Sequence, residues 1–258
     1  MGCDYDYPEY DSAATIWVPP RFFIWGSGEL ARTMYYYLSK ERGYTVKQGD
    51  KQRAISGVNV WPSNHLGLVM DIEHFKRPDW LPLGVNSFIL DEHMKTIASL
   101  NKTGFFLPIG YGENNKLRET KFKEVSELGF DVLTFLHEKA YIANDVPIGD
   151  GSIVLEHCNV QTGAKVGSGC YFWSSFHLGH NSICEDFVFA SSNSTVSGNC
   201  KVGHNSFIGV GCHIRDGIEI APYTTLGMGA IITKPTKEYG VYLAGVNNFY
   251  KDSRYTDE

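Results

Sequence analysis

The sequence lacks several features that would place it in a special class of protein. It has no run of about eighteen apolar residues, so it predicts no membrane span. It has no basic cluster, and 23 Lys and Arg against 29 Asp and Glu give a formal net charge of −6, which argues against a nucleic-acid partner. No basic stretch followed by an apolar one stands at the start, so we expect no export signal and a cytoplasmic protein.

The cysteine pattern also excludes some chemistry. The six cysteines include no Cys-x-x-Cys pair, and in a chain without an export signal they are expected to be reduced thiols. His177 and His213, 36 residues apart, raise the alternative of a zinc site, but the sequence has no pair of histidines five residues apart, the spacing of the prism-shaped carbonic anhydrases. We therefore predict no metal.

An internal repeat is the strongest signal in the sequence. From Ile142 to Ile232 every sixth residue is apolar, sixteen in a row, and at the 43% background frequency such a run has a probability on the order of 10⁻⁵. The residues four places later are mostly small, and glycine often follows the apolar residue directly. A period of six fits neither a helix nor an alternating strand. It predicts a three-sided coil of short strands, with a corner every six residues and about five turns.

The repeat gives most cysteines a structural place. The large apolar residue is expected to fill the interior of the coil, and the small residue to fit where the wall is closest. Five of the six cysteines hold these inward positions, which predicts packing rather than catalysis or metal binding: Cys158, Cys170, Cys184, Cys200 and Cys212. The open strand edges at both ends need covers, which the residues after the last hexad and those before Ile142 can supply.

The front half has the alternation of a small α/β domain. Strands are predicted at 21–24, 44–46, 88–90, 105–109 and 131–136, and helices at 30–43 and 117–128. This order implies a parallel sheet with helices on its faces. Gly26-Ser27-Gly28 follows the first strand, where backbone N–H groups before a helix can hold a phosphate; a tight turn without a ligand is the alternative. The fold class is therefore α/β plus all-β.

The two parts together resemble the bacterial sugar acyltransferases of the sialic acid O-acetyltransferase type, a family that includes N-acetyltransferases for nucleotide-linked aminodeoxy sugars. The likeness covers roughly Arg21 to Val246. It rests on Gly26-Ser27-Gly28, Ile109-Gly110, Asn115-Lys116-Leu117-Arg118, Ala140-Tyr141-Ile142, the segment from His180 to Val188, Val196-Ser197-Gly198, Phe207-Ile208-Gly209-Val210-Gly211 and Leu226-Gly227-Met228-Gly229-Ala230.

The resemblance implies both the architecture and the partners. It implies an N-terminal arm (1–20), a small Rossmann-like parallel-sheet domain that binds a nucleotide sugar (21–138), a left-handed parallel β-helix that carries the acyltransferase site (139–236) and a C-terminal cap (237–258). It implies a homotrimer, with acetyl-CoA in the groove between neighbouring coils and no metal.

The resemblance also implies roles for individual residues. His180 is the general base, and Asn181, where the family usually has Asp or Glu, holds its ring. The backbone N–H near Gly198 stabilises the oxyanion, and this residue and the glycine-rich corners are predicted to bind the coenzyme: Gly198, Gly209, Gly211, Gly227, Met228 and Gly229. The nucleotide-sugar contacts are predicted at Gly26, Ser27, Gly28, Glu29, Asp50, Asn115 and Lys116. An imidazole suits the base role because it exchanges protons near neutral pH.

Three functions remain open at this point. The first is an acetyl-CoA-dependent N-acetyltransferase of a nucleotide-linked amino-deoxyhexose for surface glycan synthesis, such as lipopolysaccharide. The second is an O-acetyltransferase of sialic acid or another polysaccharide sugar, since one histidine base serves an amine or a hydroxyl. The third is a non-catalytic partner that stabilises a sugar-biosynthetic enzyme, which Asn181 and Phe189 suggest because the family often has other residues at these two positions.

Overall fold

The computed structural model of the chain describes residues 22–25, 29–40, 44–48, 51–53, 66–70, 86–89, 104–246 and 248–252. In these residues a parallel β-solenoid of about six turns carries a small parallel sheet and two α-helices on one side. The predicted arm, residues 1–20, lies outside the described residues. No helix in the described ranges is long and apolar enough to cross a membrane.

The solenoid has three faces, which the chain visits in the order 1, 2, 3. Face 1 contains the parallel strands Thr134–His137, Ile153–Val154, Tyr171–Phe172, Phe189–Ala190, Phe207–Ile208, Thr225–Leu226 and Gly240–Leu243. Face 2 contains Tyr141–Ile142, Asn159–Val160, His177–Leu178, Thr195–Val196, His213–Ile214, Ala230–Ile232 and Gly245–Val246. Face 3 contains Lys165–Val166, Ile183–Cys184, Lys201–Val202 and Glu219–Ile220. Residues 18 apart pair between successive coils, such as His177 with Thr195.

The solenoid is longer than the repeat predicts. Thr134–His137 precedes the first apolar hexad position and pairs in register with Ile153–Val154. Gly240–Leu243 follows the last hexad and pairs with Thr225–Leu226. Leu136 of the first segment continues the six-residue spacing, since it stands six residues before Ile142, pairs with Val154 and packs against the interior. The last segment departs from the spacing, because Tyr242, which pairs with Leu226, is 16 residues after it instead of 18. The expected five turns are therefore about six.

The solenoid interior holds the residues that the repeat places inward. Fourteen of the sixteen large positions are buried, and only Ile142 and Ile148 in the first coil are partly exposed. Small and large residues compensate between coils, since Ala190 stacks directly on Phe172. All five described cysteines are buried free thiols, and burial raises the pKa of Cys158 and Cys170 to about 12. They pack as small apolar residues.

Two corner positions have different backbone demands. Directly after the large residue, glycine lies against the next coil: a methyl group on Gly149 or Gly179 would lie 2.5 Å from the backbone nitrogen above it. Two residues further on, the backbone takes a left-handed φ, which glycine and asparagine tolerate best. Asn181 has such a φ, 57°, so its residue type meets a backbone need. Glycine or asparagine also holds this position at Gly151, Gly163, Gly169, Asn193, Asn199, Asn205, Gly211, Gly217 and Gly229.

Antiparallel strands cover both edges of face 1. Tyr44–Gln48 pairs with Thr134–His137, and Lys51–Arg53 continues the sheet outward. At the other end Asn248–Asp252 pairs with Gly240–Leu243. The prediction that residues 44–46 form a strand of the front parallel sheet is wrong, because this strand belongs to the solenoid. Its sequence shows that it is a strand but not which edge it joins.

The front sheet has five parallel strands. In spatial order they are Asn86–Ile89, Leu66–Met70, Phe22–Trp25, Gly104–Phe106 and Asp131–Val132. The helix Glu29–Lys40 follows the first strand, and a 3-10 turn, Gly112–Asn115, leads into the helix Lys116–Glu127. The predicted last strand, 131–136, is divided between two sheets: Asp131–Val132 ends the front sheet, and Thr134 starts face 1.

The front unit packs on the outside of face 1 through apolar side chains. Met34 of the first helix and Phe106 of the sheet share a buried cluster with outward-facing residues of face 1, among them Ile153, Tyr171 and Phe189. The whole cluster is continuous across the two units. Burial of this apolar area stabilises their docking by about 25 cal/mol per Å².

Arg118 connects the second helix to the solenoid. Its guanidinium is fully buried and donates hydrogen bonds to Gly169 O at 3.0 Å and Phe187 O at 2.8 Å, both at the corner between faces 3 and 1, and to Ile109 O at 3.1 Å. It also lies 4.1 Å from the ring centroid of Tyr171. A buried guanidinium bonded to three carbonyls fixes the front unit on that corner.

A polar contact joins the helix Glu29–Lys40 to the corner between faces 1 and 2. Tyr37 donates its hydroxyl to one carboxylate oxygen of Glu156 at 2.7 Å, and Ser174 donates to the other at 2.6 Å. Burial alone would raise the pKa of Glu156, but these two hydrogen bonds outweigh burial and hold it below its usual value. The carboxylate is therefore kept ionised at the junction.

Candidate active site

His180 lies at the corner between faces 2 and 3, which we call the His180 corner. Matching positions of successive coils stack there as a column of five residues: Thr162, His180, Gly198, Asp216 and Lys234. Backbone hydrogen bonds hold the column together, with Asn199 N donating to His180 O at 2.9 Å and Gly217 N donating to Gly198 O at 3.0 Å. The column is set by the repeat, since its members are 18 residues apart.

The imidazole of His180 is exposed and has defined neighbours. Its backbone N–H donates to Gln161 Oε1 at 3.0 Å, which fixes the backbone from the coil below. Nδ1 lies 3.4 Å from the amide nitrogen of Asn181, so the structure brings the two predicted catalytic residues together. The opposite edge of the ring lies over Gly198. If residue 198 were alanine, its methyl group would lie 2.5 Å from His180 Cε1 and would also collide with Nε2. Glycine at 198 leaves the space that the ring needs.

The backbone N–H of Gly198 has no hydrogen-bond acceptor among the described residues. At two comparable corner positions a side chain one coil below supplies the acceptor, as Gln161 does for His180 and Glu185 does for His204. For Gly198 the corresponding position is Gly179, which has no side chain to supply one. Gly198 itself is buried, so its N–H has an unfilled hydrogen-bonding position at the corner that carries the imidazole, which is what an oxyanion donor requires.

The structure adds Asp216 to this corner, a residue that the sequence reasoning missed. A methyl group on Gly198 would lie 2.9 Å from Asp216 Oδ1, so the carboxylate borders the same space as the imidazole. Asn199 Nδ2 lies 3.4 Å from Asp216 Oδ1 and its own Oδ1 lies 3.4 Å from Asn181 Nδ2, so an amide chain links the carboxylate to the residue beside His180. The signal was in the spacing: residue 216 is 36 residues, two coils, after His180.

The other predicted coenzyme residues lie at a different corner, between faces 1 and 2. Met228 is 71% exposed, and Val210 in the coil below is also exposed, so this corner presents two apolar side chains on the outside of the solenoid. Gly209 is required by the coil, since a methyl group there would lie 2.7 Å from Leu226 O. The others are Gly211, Gly227 and Gly229. Within one chain, face 2 separates these residues from His180.

Three of the seven predicted sugar-nucleotide residues lie among the described residues. Gly26, Ser27, Gly28 and Asp50 lie outside the described residues. Glu29 is the exposed first residue of its helix.

Asn115 and Lys116 lie where the front unit meets the solenoid. Asn115 is buried and its amide nitrogen donates to Asn205 O at 3.1 Å and to Ser206 O at 3.2 Å. Lys116 Nζ lies 5.4 Å from the ring centroid of Tyr223. Both contacts are on the far side of face 3 from His180.

No group of three His, Cys, Asp or Glu side chains among the described residues is arranged to hold a metal ion. His177 and His213 do lie on the same face two coils apart, with Thr195 between them. Burial lowers the pKa of His177.

Several solved structures have a fold similar to that of this chain. No known family model matches the chain. A mutant of perosamine N-acetyltransferase from Caulobacter crescentus, in complex with CoA and GDP-perosamine, matches 93% of this chain and 100% of its own, with 16% sequence identity and a TM-score of 0.70. The acetyltransferase domain of PglB from Neisseria gonorrhoeae matches 86% of this chain and 95% of its own, with 19% identity and a TM-score of 0.67. WeeI from Acinetobacter baumannii matches 87% and 97%, with 16% identity and a TM-score of 0.63. The chain therefore has the fold of these proteins along most of its length.

Proposed function

We propose that this chain is an acetyl-CoA-dependent N-acetyltransferase that acts on a nucleotide-linked amino-deoxyhexose, with His180 as the general base. The observation that carries the proposal is the pairing, at one corner of the solenoid, of an exposed imidazole with the backbone N–H of Gly198, which has no acceptor among the described residues. The fold supports it, since the PglB domain has also been crystallised with acetyl coenzyme A and perosamine N-acetyltransferase with CoA and GDP-perosamine.

The two groups at the His180 corner have complementary tasks in acyl transfer. The acceptor nitrogen attacks the carbonyl carbon of the thioester, and His180 removes a proton from that nitrogen. The carbonyl oxygen gains negative charge during the attack, and the Gly198 N–H is placed to donate a hydrogen bond to it. The sulfur then leaves as the thiol. An amide-linked acetyl group and free CoA are the products.

The position of the glycine-rich corner supports a homotrimer. Gly211 and Gly229 have nothing within 4 Å of an added methyl group, so a pantetheine arm has room beside them. Face 2 lies between this corner and His180 in a single chain. In a trimer of left-handed coils the glycine-rich corner of one copy faces the His180 corner of the next, and acetyl-CoA occupies the groove between them. This arrangement uses both sets of predicted residues.

The front unit is proposed to hold the nucleotide. The first strand of its parallel sheet ends at Trp25, and the sequence Gly26-Ser27-Gly28 separates it from the helix Glu29–Lys40. In a Rossmann-like sheet, ligands bind at the carboxyl ends of the strands, and a helix N-terminus there favours phosphate. We assign residues 21–138 to this role, residues 139–236 to acyl transfer and residues 237–258 to the cap, in a cytoplasmic enzyme.

The direct test is a screen of nucleotide-linked amino sugars and free sugars with acetyl-CoA, read by release of thiol. We expect release with an amino sugar, and a loss of at least 100-fold for His180→Ala, the usual size of a general-base effect. The matched control is His157→Asn, which changes an exposed histidine on the glycine-rich corner three coils from Gly211, keeps a residue that tolerates the left-handed φ of 60°, and is expected to retain activity.

Three other outcomes of this assay would each support a different conclusion. Activity unchanged in His180→Ala would refute the base assignment. Release with sugars that offer only hydroxyl groups would favour the O-acetyltransferase. No release by the wild-type protein with any acceptor would favour a non-catalytic partner of a sugar-biosynthetic enzyme.

A further inference from the structure

The space over Gly198 is bordered by two different polar groups. A methyl group placed on its Cα would collide with His180 Nε2 on one side and would lie 2.9 Å from Asp216 Oδ1 on the other. One heavy atom in front of this space would therefore be within hydrogen-bond distance of both an imidazole nitrogen and a carboxylate oxygen. Asp216 is exposed, and its one hydrogen bond in the described part of the chain, from Asn199 Nδ2, is long at 3.4 Å.

We propose that Asp216 binds the acceptor's amino group beside His180 and thereby selects an amine over a hydroxyl. The inference rests on the proposed function, in which His180 Nε2 takes the acceptor's proton, and it goes further by naming the residue that decides which acceptor is used.

The selection follows from counting hydrogen-bond donors. When Nε2 serves as the base, it is an acceptor, and the Asp216 carboxylate is also only an acceptor. A hydroxyl has one proton and satisfies one of the two groups, while its oxygen lone pairs face the other. A neutral amine has two protons, so it satisfies both, and its lone pair is left for attack. An ammonium group also carries the positive charge that attracts a carboxylate.

The proton on the imidazole must then be on Nδ1, next to Asn181. In the structure the amide nitrogen of Asn181 faces Nδ1 at 3.4 Å. A half-turn of this exposed amide brings its oxygen to accept the Nδ1 proton. The two contacts that it gives up, to His180 and to Asn199, are both long at 3.4 Å. The amide oxygen then faces Asn199 Oδ1, and because both side chains are exposed, water can separate these two acceptors.

The complete step balances. The acceptor arrives as R–NH3⁺ and loses one proton through His180 to solvent. The resulting R–NH2 donates to Nε2 and to Asp216 and attacks the thioester carbonyl, so that a C–N bond forms and the C–S bond breaks. His180 takes the second proton from nitrogen and returns it to the leaving sulfur. The products are R–NH–CO–CH3, CoA thiol and one proton.

The test compares amine and hydroxyl acceptors in wild type and Asp216→Asn. The probes are GDP-perosamine and UDP- and dTDP-linked amino-deoxyhexoses, each beside the same nucleotide sugar with a hydroxyl in place of the amine. The asparagine variant keeps the shape and removes the charge. We expect it to lower kcat/KM for the amine about 30-fold, the effect of one hydrogen bond to a charged group, and to leave the slow rate with the hydroxyl sugar unchanged.

A matched control and a second variant separate binding from stability. Asp150→Asn makes the same change at the equivalent position of a different corner and should leave kcat/KM unchanged. Asp216→Ala should show the same loss with the amine as Asp216→Asn and the same melting temperature as wild type.

Two results would overturn the proposal in different ways. If wild type releases thiol with amino sugars and Asp216→Asn is equally fast, Asp216 does not select the acceptor, although the proposed function stands. If wild type releases no thiol with any amino sugar, the proposed function fails and this inference with it.

Discussion

The interior of the solenoid and its contact with the front unit are both buried, yet they depend on different physics. The interior is filled by short apolar side chains that repeat every six residues, with Val196 or Ile208 at 0% exposure and no charge among them. The contact with the front unit instead includes a buried guanidinium, Arg118, bonded to three backbone carbonyls. Loss of one side chain from the repeated interior leaves the other coils intact, whereas loss of Arg118 removes three hydrogen bonds of the contact at once. Substitutions in the two regions should therefore differ in their effect on stability.

The largest effect is expected from Arg118→Ala. The change removes three hydrogen bonds and leaves Gly169 O and Phe187 O buried without their donor, at a cost of about 3–5 kcal/mol in the free energy of unfolding. Urea denaturation measures it, with Arg32→Ala on the exposed side of the first helix as control. A loss below about 1 kcal/mol would show that the anchor is dispensable.

Ile232→Ala tests the interior against a neighbour on the same strand. Ile232 is 0% exposed and Ile231 is 40% exposed. Truncating Ile232 leaves a cavity and is expected to cost about 2–4 kcal/mol, whereas Ile231→Ala should cost less than about 1 kcal/mol. Thermal or urea unfolding of the pair measures the difference. Equal losses would contradict the assignment of alternate residues to inside and outside.

Tyr37→Phe tests the polar contact at the junction through its pH dependence. Because the pKa of Glu156 is lowered in the folded protein, its contribution is fully present above the unfolded value of 4.5 and is lost as the pH falls through the folded value. We expect the variant to be about 1 kcal/mol less stable than wild type at pH 7, and the gap to close in acid. A gap independent of pH would exclude Glu156 as the partner.

The smallest effect concerns the left-handed corners. Asn193 is exposed with a φ of 56°. We expect Asn193→Ala to cost about 1 kcal/mol because alanine is strained there, and Asn193→Gly to be nearly neutral. Denaturation of both variants checks the order. If alanine were the better replacement, the corner backbone would not demand this conformation.

The solenoid interior and the front unit also differ in how much of their structure could be predicted from the sequence. The interior was predictable because one rule, a period of six, acts on every coil. The roles of His180 and Gly198 came from the family resemblance, and the structure shows that these two residues, 18 apart, lie in one column. The front unit was predictable only as an alternation of strands and helices. Tyr44–Gln48 joined the solenoid instead of the front sheet, and Leu66–Met70 was not predicted, because pairing between distant strands leaves no local pattern.

For the candidate site, too, the sequence revealed some features and missed others. Asn181 was interpreted only as a replacement for a catalytic carboxylate, whereas the structure shows that its left-handed φ already favours asparagine. Asp216 was overlooked because its partner is 36 residues away, although the repeat puts both at the same corner. A search for polar residues at multiples of 18 from His180 would have found it.

If the His180 corner handles a thioester, a crystal structure of the protein grown with CoA will show the coenzyme there. We expect three copies around a threefold axis, with each CoA sulfur beside a His180 ring and close to the Gly198 N–H. CoA bound with its sulfur on another face or beside the front sheet, far from residue 180, would refute this role of the corner.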